Sequence, residues 1–283
     1  MKTKIIIDST TDVAKEIREE FCIVPLTIRF GEEDFIDGIT ITHKKFYEML
    51  VESDEIPVTS QATPDAFERA IGECVRNGEK AVVITVASKL SGTYQSAMIA
   101  ASEYPGEVFV VDSKTVAIGA GILAELALDM AKRGMGAEEI AKRIEKEREN
   151  VCLIAMLDTL EYLKKGGRIS KTVAFAGGLL QIKPVVCVRD GVIEMLGKAR
   201  GSKQGNNLLI KEIEAAGGVD FSKPLLLGYT GLSDILLQKY IEDSSHIWEG
   251  NVSGLRSEII GSAIGTHAGP GAVAAAFFKK CDK

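Results

Sequence analysis

Ser91-Gly92-Thr93 is the segment whose residue types say most about chemistry. It follows Ala81-Val82-Val83-Ile84-Thr85-Val86, a buried-type strand, and precedes a helical pattern. Hydroxyls and free backbone N–H groups gathered at a helix start, where the dipole favours negative charge, can hold a carboxylate or a phosphate. They can equally be an ordinary helix cap. Thr59-Ser60-Gln61 lies between Pro57 and Pro64 and reads as an anion contact or as a surface turn ahead of a helix. Thr266-His267 sits among Gly261, Gly265, Gly269 and Gly271. Glycines let a ligand approach the backbone, and an imidazole there can donate a hydrogen bond to an anion. The other reading is a tight connection whose histidine bonds a neighbouring carbonyl. Arg168 and Arg200 each stand beside glycine. Each can grip an anion bidentately or lie solvated on the surface. Asp8-Ser9-Thr10 closes the first strand, either as site lining or as a helix cap.

Strands alternating with helices must position these groups. Lys4 to Ile7, Val24 to Phe30, Ala81 to Val86 and Val108 to Asp112 read as strands. The segments Val13 to Phe21, His43 to Val51 and Asp65 to Arg76 read as helices, the last with Thr63 as cap and Pro64 in the first turn. A helix follows Ser91, a long one capped by Ser113 runs to about Arg133, and a charged amphipathic one covers Ala137 to Asn150. This alternation predicts βαβ units and a mostly parallel sheet. Beyond it, strands at Pro184 to Val188 and Val192 to Leu196 flank Asp190-Gly191, the dipeptide of a two-residue hairpin loop. The second half therefore contains antiparallel pairing. Its last strands enclose a glycine-rich loop at Gly261 to Gly271 and end in the apolar run Ala272 to Phe278. The expected division is residues 1–148 and 149–283, two α/β domains of which the second carries a mixed sheet.

Composition narrows the classes of function. With 283 residues, 46% hydrophobic and 26% charged, the chain buries a large core. A net charge of −6 and 6% aromatic residues argue against nucleic-acid binding through bulk charge or base stacking. An anionic ligand must be captured by a local site instead. Five cysteines without a C-x-x-C pair fit free thiols in a reducing cytoplasm, and three scattered histidines argue against structural zinc. No run approaches the length of a membrane span, and the N-terminal apolar run is too short for a signal peptide. Phosphate-loop, dinucleotide and nucleophile-elbow motifs are absent. Ser91 as nucleophile with His267 as base is a further arrangement, but no orienting acid can be named for it.

Taken in order, Asp8-Ser9-Thr10, Thr59-Ser60-Gln61, Lys89-Leu90-Ser91-Gly92-Thr93-Tyr94, Lys165-Gly166-Gly167-Arg168-Ile169-Ser170, Ile182-Lys183-Pro184 and Gly265-Thr266-His267-Ala268-Gly269-Pro270-Gly271 resemble the successive motifs of the DegV family across essentially the whole chain. The resemblance implies a fatty-acid-binding protein with two α/β domains and the lipid in a tunnel between them. It implies Thr59 and Ser91 on the carboxylate, with Arg200 and His267 near the head group. Ser60, Gly92, Thr93, Arg168 and Thr266 would be supporting neighbours. A long-chain, palmitate-like fatty acid would be the ligand, with no other cofactor and no catalytic residue. Some family members hand the bound acid to a separate fatty acid kinase subunit, which implies a non-enzymatic, cytoplasmic role here. A phosphotransferase or hydrolase using His267 or Ser91 covalently is the alternative. The family often has proline after Ser-Gln, where this chain has Ala62.

Overall fold

The structure is a computed structural model that describes residues 2–169, 182–248, 250, 251 and 254–280. Ser170, part of the Arg168 motif, lies outside the described residues.

The first sheet is parallel, in the order β2-β1-β6-β7, from β1 (Thr3–Asp8), β2 (Cys22–Val24), β6 (Lys80–Thr85) and β7 (Val108–Asp112). Being covered on both faces, these strands are near-continuous apolar runs. On one face Ile6 and Val83 meet Phe67, Ile71 and Ala97 from α2 (Pro64–Arg76) and α3 (Thr93–Ala101). On the other, Ile5, Ile7, Val82 and Ile84 meet α4 (Ala117–Lys132) and α5 (Ala137–Glu147). Thr63 and Pro64 open α2 as expected, the Thr63 side chain accepting from Ala66 N–H.

A three-stranded antiparallel sheet, ordered β4-β3-β5, adjoins this one. It consists of β3 (Thr27–Phe30), β4 (Glu33–Ile36) and β5 (Val58–Ser60). The expected single strand from Val24 to Phe30 is thus two strands in two sheets. Pro25 lies at the break, where a residue without an N–H cannot continue a ladder. The polar stretch between Pro57 and Pro64 holds an edge strand rather than a simple loop. The helix expected over Val13 to Phe21 is a short 3-10 helix at Lys15–Glu20.

The second half forms a six-stranded mixed sheet, β10-β9-β8-β13-β11-β12. Its strands are β8 (Val151–Met156), β9 (Ile182–Arg189), β10 (Val192–Arg200), β11 (Leu226–Tyr229), β12 (Ser257–Ile259) and β13 (Val273–Phe278). The β9–β10 hairpin turns at Asp190 and Gly191, at φ 47° and 72°, as that dipeptide predicts. The outer face is covered by α7 (Gly201–Ala215), α8 (Ile235–Asp243) and the short α9 (Ser245–Trp248). The inner face turns towards the parallel sheet, and α4 lies between them. Ala117, Ile118, Ile122 and Leu123 share one cluster with Ile5 and Val82 on one side and with Leu153, Ala274 and Ala276 on the other. The stretch of α4 that lies wholly buried, Ala117 to Ala124, is accordingly apolar all round. It starts at Ala117, four residues after the expected cap; Ser113 Oγ instead bonds Thr115 O at 3.0 Å.

The glycine-rich stretch is not a loop. Residues Ser262–Ala268 form a helix, α10. Gly265 stands in its middle because a side chain there would collide with Phe46 and Tyr47 of α1 (His43–Glu52). The remaining helix, α6 (Glu161–Lys165), ends at Gly166-Gly167. No helix among the described residues is long and apolar enough to cross a membrane.

Candidate functional site

Strand alternation decides what β5 shows to the interior. Thr59 pairs with Ile28 and turns inward, while Val58 and Ser60 on either side are exposed. Opposite it, α10 presents His267 from its last turn. Thr59 Oγ1 and His267 Nε2 share a hydrogen bond of 2.9 Å. The other face of the ring lies on Gly166, where any side chain would strike Nδ1. Nδ1 itself is buried and has no hydrogen-bond partner among the described residues. Burial, then the nearby positive charge of Arg168, push the His267 pKa down to about 4. The imidazole is therefore neutral near pH 7.

Ser91 reaches the same place from the turn after β6. Its Oγ accepts from Thr93 N–H at 3.3 Å and shares a 2.9 Å hydrogen bond with Thr93 Oγ1, so buried Thr93 fixes the Ser91 rotamer. The N-cap position of α3 is Gly92, which has no side chain to cap the helix, so Ser91 Oγ takes its first N–H, that of Thr93, instead. Gln61 crosses from the β5 side, lies over Gly92 and donates from Nε2 to Ser96 Oγ at 2.9 Å. That contact ties the Thr59 strand to the Ser91 turn. Arg168 is held in place by two carbonyls, donating from Nε to Leu90 O at 3.1 Å and from a terminal nitrogen to Gly166 O at 2.6 Å. Among the described residues no carboxylate forms an ion pair with it.

Thr59, Ser91, Arg168 and His267 line the polar end of one cavity, and Thr10 is a further hydroxyl in its lining. Thr10 is aimed by Asp8, a buried carboxylate that accepts its N–H and hydroxyl and also Val86 N–H. The rest of the wall is apolar: Leu157, Leu163, Val186, Ile193, Ile264 and Ala274 are among its residues. About 900 Å³ of empty space lies within it, its mouth included. No carboxylate lines the wall among the described residues.

Five sequence candidates lie off this wall. Ser60 points out from β5, and Gly92 is covered by Gln61. Thr93 stands behind Ser91, and Thr266 is turned back to bond Ser262 O at 3.0 Å. Arg200 is exposed at the start of α7. Sequence reasoning missed Gln61 as a brace, Gly166 as a seat for the histidine and Asp12 as an anchor of α10. Asp12 Oδ1 accepts Gly261 N–H at 2.9 Å, and Tyr47 Oη donates to Ile260 O at 2.8 Å. The signal for Gly166 was a pair of glycines where one suffices to end a helix. For the others, no local pattern marks a contact across such sequence distances.

The geometry does not build a nucleophile. Ser91 Oγ bonds Thr93 and His267 bonds Thr59, so serine and histidine are not linked as nucleophile and base. Among the described residues no cluster of His, Cys, Asp and Glu could hold a metal ion.

A family model described as "Uncharacterised protein, DegV family" matches residues 2–280. A DegV domain-containing protein of Caldanaerobacter subterraneus subsp. tengcongensis is 31% identical, with 99% of both chains covered. Among solved structures, a DegV family protein from Thermus thermophilus, described for its fatty acid binding, superposes with a TM-score of 0.86 at 29% identity, covering 99% of this chain and 100% of that one. A DegV family protein from Eubacterium eligens loaded with heptadecanoic acid gives 0.83 at 26%, covering 98% and 100%. The Streptococcus pneumoniae fatty acid kinase (Fak) B3 protein loaded with linoleic acid gives 0.84 at 25%, covering 99% and 100%.

Proposed function

The chain belongs to the DegV family, and on that premise we propose that it encloses a long-chain fatty acid, palmitate-like in length or longer, without transforming it. The observation that carries this reading is an apolar cavity with one polar end, where Thr59, Ser91, Arg168 and His267 come together. A carboxylate leaving water needs charge-assisted donors. The Ser91 hydroxyl, the Arg168 guanidinium and the first-turn N–H groups of α3 beyond that of Thr93 provide them. With His267 neutral and its Nε2–H donated to Thr59 Oγ1, the Thr59 hydroxyl proton is free to reach the same carboxylate. The acyl chain lies along the apolar wall, contributing on the order of 0.8 kcal/mol per buried CH₂.

On this reading the two lobes are residues 1–148 and 149–283, and the acyl chain runs between their sheets. The protein is a cytoplasmic, non-catalytic carrier that presents the head group to a fatty acid kinase subunit. Support comes from the disconnected serine and histidine and from the likeness to the Fak B3 protein. Native mass spectrometry of purified and then delipidated protein tests it. One fatty acid per chain, lost on delipidation and regained on addition, is expected. A chain that stays bare in the presence of palmitate overturns the proposal.

A further inference from the structure

Where Leu153, Cys187 and Val188 line the cavity, its wall is not a continuous sheet. Strands β8 and β9 pair from Met156–Val185 to Ile154–Cys187, and there the ladder stops. Both strands continue. Val151, Cys152 and Leu153 go on pairing with β13, and Val188 and Arg189 go on pairing with β10. Each strand keeps its outer neighbour while the two part from one another.

The tip of the β9–β10 hairpin is fastened to the other half of the molecule, where Gly191 N–H donates to Lys114 O at 2.9 Å and Lys114 Nζ stands 3.6 Å from Asp190. Gly191 also packs on Ala87. These contacts hold the hairpin tip against the parallel-sheet half, beside the point where β8 and β9 part.

A second cavity lies at this opening, with about 1290 Å³ of empty space including its mouth. Leu153, Cys187 and Val188 line both cavities, so the two share a wall at the point where pairing ends. Cys152, Leu196 and Ala216 give the second cavity an apolar strip, while seven charged side chains, Glu149, Glu212, Arg148 and Lys279 among them, line the rest of it.

We propose that the opening between β8 and β9 is an outlet for the distal end of the acyl chain. This inference rests on the fatty-acid reading of the main cavity and deepens it. The carboxylate stays at Thr59 and Ser91, the chain passes Leu153 and Val188, and methylenes beyond the capacity of the first cavity lie against Cys152 and Ala216. The ligand class is then open-ended in length, because extra methylenes move to the apolar strip of the second cavity instead of overpacking a closed end.

The test is a saturated series from lauric to lignoceric acid, added to the delipidated full chain and followed by displacement of a fluorescent fatty acid. Lignoceric acid binding at least as tightly as palmitic acid is expected. A loss of about tenfold or more from palmitic to lignoceric acid means a closed end and overturns the outlet, while leaving the proposed function intact. Failure of both acids to bind sinks the proposed function itself. Ala216→Trp obstructs only the second cavity. It should leave palmitic acid within about twofold and weaken lignoceric acid about tenfold. Peptide-mapped maleimide labelling of Cys152 in the unaltered protein supplies a second readout. Lignoceric acid should slow that labelling and lauric acid should not; equal rates with both overturn the outlet.

Discussion

Thr59 Oγ1 and His267 Nε2 stand 2.9 Å apart although 208 positions separate the two residues along the chain. One belongs to an edge strand of the first half, the other to the last helix. Their bond makes the polar end of the cavity a joint product of both halves.

On the proposed function, Thr59→Val and Ser91→Ala each remove a hydroxyl that donates to the ligand carboxylate. Hydrogen bonds to charged groups contribute about 1.5–3 kcal/mol, so each variant should bind palmitate about 10- to 100-fold more weakly by calorimetry. Arg200→Ala, at an exposed position off the cavity wall, should change the affinity less than about threefold, a surface effect. An Arg200 effect as large as that of Ser91 would require the head group to lie outside the cavity.

His267 should titrate at about 4 in delipidated protein, well below its ordinary 6.5, because burial and Arg168 both disfavour the imidazolium. Between those two pH values the unfolded chain holds a proton that the folded chain refuses. Stability is therefore fully present above about pH 6.5 and declines as pH falls towards about 4. A bound carboxylate beside the ring reverses part of this, so the titration followed by NMR should move upward when palmitate is added. An unchanged midpoint would separate His267 from the head group.

Gly166→Ala places a methyl group against His267 Nδ1. The ring has to move, and the Thr59 bond goes with it. The expected cost is about 1–3 kcal/mol in denaturant unfolding, together with weakened palmitate binding. Gly167→Ala next door meets nothing in space, but its φ of 71° strains the backbone, so it should cost stability without moving the histidine.

Asp12 carries the opposite pH sign. Burial raises its carboxyl from the ordinary 3.8 to about 8, so between those values the folded chain keeps a proton that the unfolded chain has lost. This contribution to stability declines as pH rises through that window. Asp12→Asn keeps an acceptor for Gly261 N–H and cannot ionise, so it should melt above the parent protein at pH 9, and the difference should vanish in acid. Asp12→Ala leaves Gly261 N–H without its acceptor and should cost about 1–3 kcal/mol relative to Asp12→Asn at every pH.

Much of this architecture is legible in the chain. The apolar runs at Ile5 to Ile7 and Val82 to Ile84, the Asp190-Gly191 turn and the Thr63-Pro64 helix start each obey local rules that the folded state respects. Thr59, Ser91 and His267 were visible as residue types, but the distance between them follows from pairing of β5 with β3 and from packing of α10 on α1. The errors have physical reasons. Glycines at 261, 265, 269 and 271 imitate a flexible loop, yet Gly265 is there because Tyr47 leaves no room for a side chain. Val58 to Ser60 is too short and too polar to declare itself a strand, and becomes one only because β3 offers an edge.

The position of α4 has a consequence for how the molecule comes apart. Ile118, Ile122 and Leu123 belong to a single apolar cluster that spans both sheets, so neither half can melt without stripping the other of its covering. Heat denaturation should accordingly appear as one calorimetric peak whose van't Hoff and measured enthalpies agree, and a polypeptide stopped at residue 148 should be sticky and aggregate rather than behave as an independent module.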